Sequence, residues 1–141
     1  MSLSQAPLTG RITDFIPFLT FSPIEQAAVA DKYLADCGLE LAKAIDLCED
    51  PSRYRPVGNV DLVVKRGYSV CKALADQGYV QELGARSIIN TVNREVKGPL
   101  VGHFLAARDE IREDQPAGKS VVGVDADSGE VQVSQFAVVK D

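Results

Sequence analysis

Ile24, Ala27, Ala28, Leu34, Leu41, Ala42 and Ile45 recur at helical spacing along the first third of the chain, placing apolar groups on one face of a 3.6-residue repeat. Ser22, Pro23 and Glu25 in "FSPIEQ" supply an N-cap, a proline at the first helical position and the glutamate of a capping box. One amphipathic helix to about residue 48 is therefore predicted. Before it, "TDFIPFLTF" (13–21) is apolar but holds Pro17, which suits an extended connector or edge strand rather than a central one. After it, "CEDPSRYRPVGN" (48–59) has two prolines and a glycine and reads as a surface loop.

"VDLVVKRG" (60–67) is β-branched and bounded by turn residues, the pattern of a strand. Ser69 is placed to cap a short helix through "VCKALADQ", and Gly78 to end it in the left-handed conformation that glycine enters at low cost. From Ser87, the positions Ile88, Ile89, Val92 and Val96 trace another helix face, which Leu100, Phe104, Ala107 and Ile111 continue. Pro99 in "KGPL" interrupts this run. A proline removes a helical hydrogen bond and clashes with the preceding turn, so a kink at Gly98, or a restart with Pro99 in its first turn, is expected. "KSVVGVDADSGEVQVSQFAVV" (119–139) alternates apolar and polar residues around "DADSG", the mark of a β-hairpin. The order helix, strand, short helix, long helix, strand, strand predicts an α+β layer structure.

Composition keeps this picture and narrows the chemistry. With 141 residues the chain fits one domain, and 45% apolar residues argue against global disorder. A net charge of −5, with Lys and Arg scattered among acids, gives no basic stripe for a phosphate backbone, so nucleic acid is not an expected partner. Cys37, Cys48 and Cys71 are odd in number and lack C-x-x-C spacing; they read as reduced, half-buried thiols of an intracellular protein. No stretch approaches a membrane span, and "MSLSQAPLTG" has no targeting pattern, so a soluble, cytoplasmic protein is expected, an organelle such as the mitochondrion remaining open.

Three motifs fail their chemical requirements. "AGKS" (117–120) ends like a phosphate-binding P-loop, but Glu113 stands where the first glycine is needed, and the segment leads into a strand; "PAGK" is read as a turn. "DADSGE" (125–130) starts like a calcium loop, yet its twelfth position is Phe136 and its flanks are strands, so a hairpin turn is expected. His103 is the single histidine. It lies near an apolar helix face and reads as a satisfied, partly buried side chain; no metal site is expected. Asp46, Glu49 and Asp50 read as a solvated acidic face. No acid–base pair or nucleophile stands out, so the chain does not read as a complete enzyme. A small-molecule enzyme built from His103 and a cysteine is the least favoured reading.

Two arginines beside glycines remain: Arg11 in "LTGRITDF" and Arg86 in "LGARSIIN". Surface arginines are ordinarily unremarkable. Arg86, however, falls where a helix begins, and a cation there costs about 0.3–1 kcal/mol against the helix dipole. A helix start that holds an anion would reverse that sign, its backbone donors acting beside the arginine.

"GRITDFIPFLTFSPIEQAAVADKYL", "GYVQELGARSIINTVNREVKGPLVGHFL" and "DQPAGKSVVGVDADSGEVQV", in that order over roughly residues 10 to 135, resemble the C-terminal small domain of Clp-type AAA+ ATPases of the ClpA/ClpB kind. The first resembles the family's junction, with an Asn-Arg-Ile-Asp stretch leading into the first small-domain helix; the second its sensor 2 segment, where Gly-Ala-Arg opens a helix that later carries an Asn-Pro-Leu step; the third its closing Pro-Gly-Lys turn and hairpin. The resemblance implies an AAA+ lid domain, about three to four helices on a small, mainly antiparallel sheet with a C-terminal β-hairpin.

Residues 1–9 would be an unstructured start, native or added, 10–21 the junction to the AAA+ large domain and 22–141 the small domain. Arg86, with Gly84 and Ala85, matches the sensor 2 triplet that meets the phosphate of ATP, with its magnesium, in the full-length protein. Arg11 matches the arginine that reaches the nucleotide of a neighbouring subunit. Implied partners are the large domain of the same chain, the neighbouring subunit of a homo-hexamer and unfolded protein substrate, with no nucleic acid and no membrane. A permanently charged planar fork suits phosphate in a way lysine does not.

Gly10 and Thr13 stand in place of the family's Asn and Asp, and the loop at 48–59 is longer than the usual connection, marks of a divergent member. The chain has no P-loop, Walker B strand or pore loop, so no activity is expected of it alone; a piece of a longer ATP-hydrolysing unfoldase is the favoured reading. The alternative is a stand-alone protein-interaction module of the same fold without a nucleotide role.

Overall fold

A computed structural model describes residues 19–110 and 118–134, together with Gly10, Thr13 and Asp14. Arg11, Pro17, Ile111 and the "PA" of "PAGK" lie outside the described residues, as do 1–9 and 135–141. Helix α1 (Pro23–Ala42) starts as expected: Ser22 Oγ accepts from the Glu25 N–H, and the Glu25 carboxylate accepts from the Ser22 N–H at 2.7 Å. Its buried stripe is Ala27, Ala30, Leu34, Cys37 and Leu41. Ile24, expected on that stripe, is 76% exposed.

The helix stops at Ala42 rather than near residue 48. There the chain turns into a loop closed on itself, with Asp46 and Arg55 bridged in antiparallel fashion and the Asn59 N–H donating to the Lys43 carbonyl at 2.8 Å. Gly58 makes the closure possible, since a Cβ at that position would lie 2.3 Å from the Lys43 carbonyl oxygen.

β1 (Val60–Val64) follows, then α2 (Gly67–Gly78). Ser69 does not cap α2; the helix opens after Arg66 in the left-handed conformation (φ 51°, ψ 60°), with no side-chain cap. Gly78 is its last residue rather than a left-handed terminator, and a Cβ there would meet Thr91 Oγ1 at 1.8 Å. Close approach of two helices, not backbone handedness, is what requires glycine at this place.

The long helical run is α3 (Ala85–Val92), one wide turn of π-helix (Asn93–Lys97) and α4 (Gly98–Ala106). Pro99 sits in the first turn of α4. The widened turn carries the chain past the proline without breaking it: the Gly98 N–H reaches back five residues to the Asn93 carbonyl. A 3₁₀ turn (Arg108–Glu110) ends the described part of this run.

β2 (Gly118–Val124) pairs parallel with β1, from Val60 opposite Gly118 to Val64 opposite Val122, and antiparallel with β3 (Val131–Val133). The β2–β3 hairpin is the expected one. The sheet as a whole is mixed rather than mainly antiparallel, because a helical crossover from β1 to β2 returns the chain to the same end of the sheet. "PAGK" is likewise not wholly a turn, since Gly118 and Lys119 already belong to β2. The outcome is an α+β unit with a small mixed sheet.

Leu34, Val70, Leu74, Ile88, Val92, Val96 and Val122 form the main core cluster, joining α1, α2, α3 and β2. Cys37, Leu41, Val60, Leu100 and Phe104 form a second cluster between α1, β1 and α4. Fully burying side chains such as Leu74 or Leu100 contributes about 1.5–3 kcal/mol each. Among the described residues no helix is long and apolar enough to cross a membrane.

Candidate functional site

Residues 79–87 form a tight turn that aims Arg86 outward. Tyr79 leaves α2 in extended conformation and is anchored from outside the turn: its ring lies 6.3 Å from that of Phe21, and its hydroxyl accepts from the Phe21 N–H at 3.3 Å. The segment leading into α1 is thereby tied to the turn that precedes α3. Val80 and Gly84 then pair across the turn, the Gly84 N–H donating to the Val80 carbonyl at 2.9 Å.

Gly84 holds φ 55° and ψ −134°, a combination open in practice to glycine alone. This is the physical content of the glycine in "GAR". Ala85 begins α3 half-buried. Arg86 follows in the first turn, exposed, and among the described residues its guanidinium has no ion pair or side-chain hydrogen bond.

Ser87 locks this geometry, a role the sequence reading missed. It is 4% exposed; its Oγ accepts from the Val80 N–H at 2.9 Å and donates to the Gly84 carbonyl at 2.6 Å. One turn on, Thr91 Oγ1 donates to the Ser87 carbonyl at 2.9 Å. The available signal was a small hydroxyl directly after Gly-Ala-Arg at a helix start, where Ser and Thr are favoured for backbone bonding.

One expectation needs revision. The backbone donors of this helix start are not all open to an anion, since the Arg86 N–H donates to the Leu83 carbonyl and the Ser87 N–H to the Gly84 carbonyl, each at 3.2 Å. The free cationic group here is the Arg86 side chain. Val80 and Leu83 belong to the same turn and Leu19 to the segment bonded to it through Phe21, and they are 44%, 53% and 85% exposed. Gly84, Ala85 and Arg86 are thus brought together on one turn; Arg11 lies outside the described residues.

No family model matches the chain, and no curated protein sequence does either.

The remaining candidates lie elsewhere. His103 is half-buried on α4, but its Nδ1 is buried without a hydrogen-bond partner among the described residues rather than satisfied. Cys37 and Cys71 are buried and Cys48 half-buried, all three as free thiols. Burial pushes the Cys71 thiol up to about 11, assisted by Asp31, whose carboxylate accepts from it at 3.8 Å. Burial also raises Cys37, and a hydrogen bond to Asp46 raises Cys48. Reactive cysteines need the opposite shift, so this geometry does not favour nucleophilic thiol chemistry.

Asp46 and Asp50 do work within the loop rather than forming a bare acidic face. Asp46 accepts from the Cys48 N–H at 3.1 Å and pairs with Arg53 at 3.2 Å, while Asp50 accepts from the Ser52 N–H and hydroxyl. Both carboxyls are held below their ordinary range, by Cys48 and Ser52 respectively. Asp125 likewise caps the hairpin turn through the Asp127 and Ser128 N–H groups, with Gly129 at φ 70°. No group of three or more potential metal ligands occurs among the described residues.

Proposed function

We propose that this chain is the C-terminal small domain of a Clp-type AAA+ ATPase and that Arg86 senses the phosphate of bound ATP. The observation that carries the reading is the turn itself: a glycine-only conformation at Gly84 and a buried serine clamp at Ser87 hold an exposed arginine, without an ion pair among the described residues, in the first turn of α3. An anion arriving at this position would turn its small helix-dipole cost into a gain. The exposed Val80 and Leu83 of this turn would suit an apolar contact with a second domain, as a lid requires.

In this reading the P-loop, magnesium and hydrolytic residues come from the large domain, and α1 with its preceding segment transmits lid movement to the turn through Phe21 and Tyr79. Arg86 would stabilise charge on the phosphate, bidentately and without losing its proton. Arg11 would serve the neighbouring subunit's nucleotide, in a homo-hexamer that works on unfolded protein in the cytoplasm or an organelle.

The test is ATP turnover by the full-length ATPase that contains this chain. Arg86→Ala should lower it about tenfold or more, the equivalent of one lost charge-assisted hydrogen bond to phosphate, and Arg86→Lys should restore little. Unchanged turnover in both variants removes the sensor role.

A further inference from the structure

Phe21 fastens the segment ahead of α1 to the body of the protein. Its N–H donates to the Tyr79 hydroxyl at 3.3 Å, its carbonyl accepts from Gln26 Nε2 at 2.8 Å, and its ring is tilted 53° to that of Tyr79, the centroids 6.3 Å apart. Among the described residues before Ser22, Phe21 alone makes a hydrogen bond or a ring contact, while Leu19 and Thr20 are exposed. One tilted ring pair and one long neutral hydrogen bond form a fastening weak enough to open without unfolding the core.

Tyr79 is gripped on two sides. Its own N–H donates to the Ala75 carbonyl at the end of α2, at 2.9 Å, and its side chain is held by Phe21. The next residue, Val80, is bonded across the Arg86 turn: its N–H donates to Ser87 Oγ at 2.9 Å, and its carbonyl accepts from the Gly84 N–H at 2.9 Å. Ser87 Oγ donates onward to the Gly84 carbonyl at 2.6 Å, and Arg86 lies between these two residues. One peptide bond and a run of hydrogen bonds therefore connect Phe21 to Arg86, a contiguous route of the kind that can carry coupling. Releasing the Tyr79 side chain leaves the turn anchored at this end by α2 alone.

We infer that the Phe21–Tyr79 contact is a latch that regulates the Arg86 turn. Closed, it holds Val80 and Ser87 so that Arg86 is presented in one position. Opened by displacement of the segment before α1, it loosens that presentation and weakens the contact of Arg86 with phosphate. Tyr79 is thus a positioning residue that acts through Arg86. Its effect on phosphate rests on the sensor role proposed for Arg86; its hold on the turn does not.

Two measurements separate these effects. Amide hydrogen exchange of the 141-residue chain compares the parent with Tyr79→Phe, which keeps the ring and removes the acceptor, and with Gln26→Met, which frees the Phe21 carbonyl. Both variants should speed exchange at the Phe21 and Val80 amides about two- to tenfold, the equivalent of one neutral hydrogen bond, while Val92 inside α3 keeps its rate. An unchanged rate at Val80 would overturn the latch, and so would an equal acceleration at Val92, which marks a general loss of stability. In the full-length ATPase that contains this chain, Tyr79→Phe should lower ATP turnover about two- to tenfold and should add nothing to Arg86→Ala. An equal loss in both backgrounds, or no loss from Tyr79→Phe where Arg86→Ala has one, would overturn the latch and leave the sensor role intact. No loss from Arg86→Ala would remove the sensor role and the effect on phosphate with it, and the exchange rates would then decide the hold on the turn.

Discussion

Gly84 and Gly78 are both glycines at helix boundaries, yet they are required for different reasons. Gly84 stands in open space, and its backbone angles alone exclude a side chain; Gly78 has an ordinary helical backbone but no room beside Thr91. Gly84→Ala should therefore cost about 1–3 kcal/mol of backbone strain, read as a lower urea midpoint with an unchanged slope. A native-like midpoint would show that the turn relaxes, and the rigid presentation of Arg86 would lose its basis. The sequence displayed Gly84, Ala85 and Arg86 as a contiguous triplet. It could not display that the clamp on them comes from Val80, seven residues before Ser87, because that contact exists only after the turn has closed.

Elements were legible where local chemistry and packing agree. The capping box announced the start of α1, and both of its hydrogen bonds form. Ser22→Ala should lower stability by about 0.5–2 kcal/mol, while Ser22→Asp, which also accepts from the helix N–H groups, should recover most of it; denaturant titration of the three proteins distinguishes the cap from mere side-chain size. Hydrogen bonding at Ser22 holds the Glu25 carboxyl below its ordinary range. Its contribution is therefore present above the unfolded-state value and is lost as pH falls through the folded one.

The end of α1 was not legible, because Ile45 continues the apolar repeat but packs from the loop against the second core cluster. Periodicity cannot distinguish a helical position from a loop side chain reaching the same core. The parallel pairing of β1 with β2 was hidden for a similar reason, since strand partners are set by how the intervening helices pack.

At the scale of the molecule, the two core clusters meet along α1, which supplies Ala27, Ala30 and Leu34 to one and Cys37 and Leu41 to the other. Two thiols are part of this packing, and their titration reports on it. Cys71 ionises at about 11 in the folded chain against 9.0 for the free group, and Cys37 is raised in the same direction. A thiol raised by burial keeps its stabilising effect below pH 9 and loses it as pH climbs toward 11, because the unfolded chain ionises first. Melting temperature should accordingly fall between pH 9 and pH 11, and Cys71→Ala, although less stable at pH 7, should show a shallower fall over that range. Alkylation of Cys37 and Cys71 in native buffer should be far slower than in urea.

The crossover between the paired strands also bears on how the molecule is made. Among the described residues, Val60–Val64 finds its sheet partner in Gly118–Val122, more than fifty residues later. While the chain is being synthesised, α1, α2 and α3 can assemble as a helical nucleus, but β1 keeps an open edge until the hairpin emerges and docks. A polypeptide truncated after Glu110 would expose that edge permanently. It should associate with copies of itself more readily than the 141-residue chain, which makes the final hairpin a guard for this edge of β1.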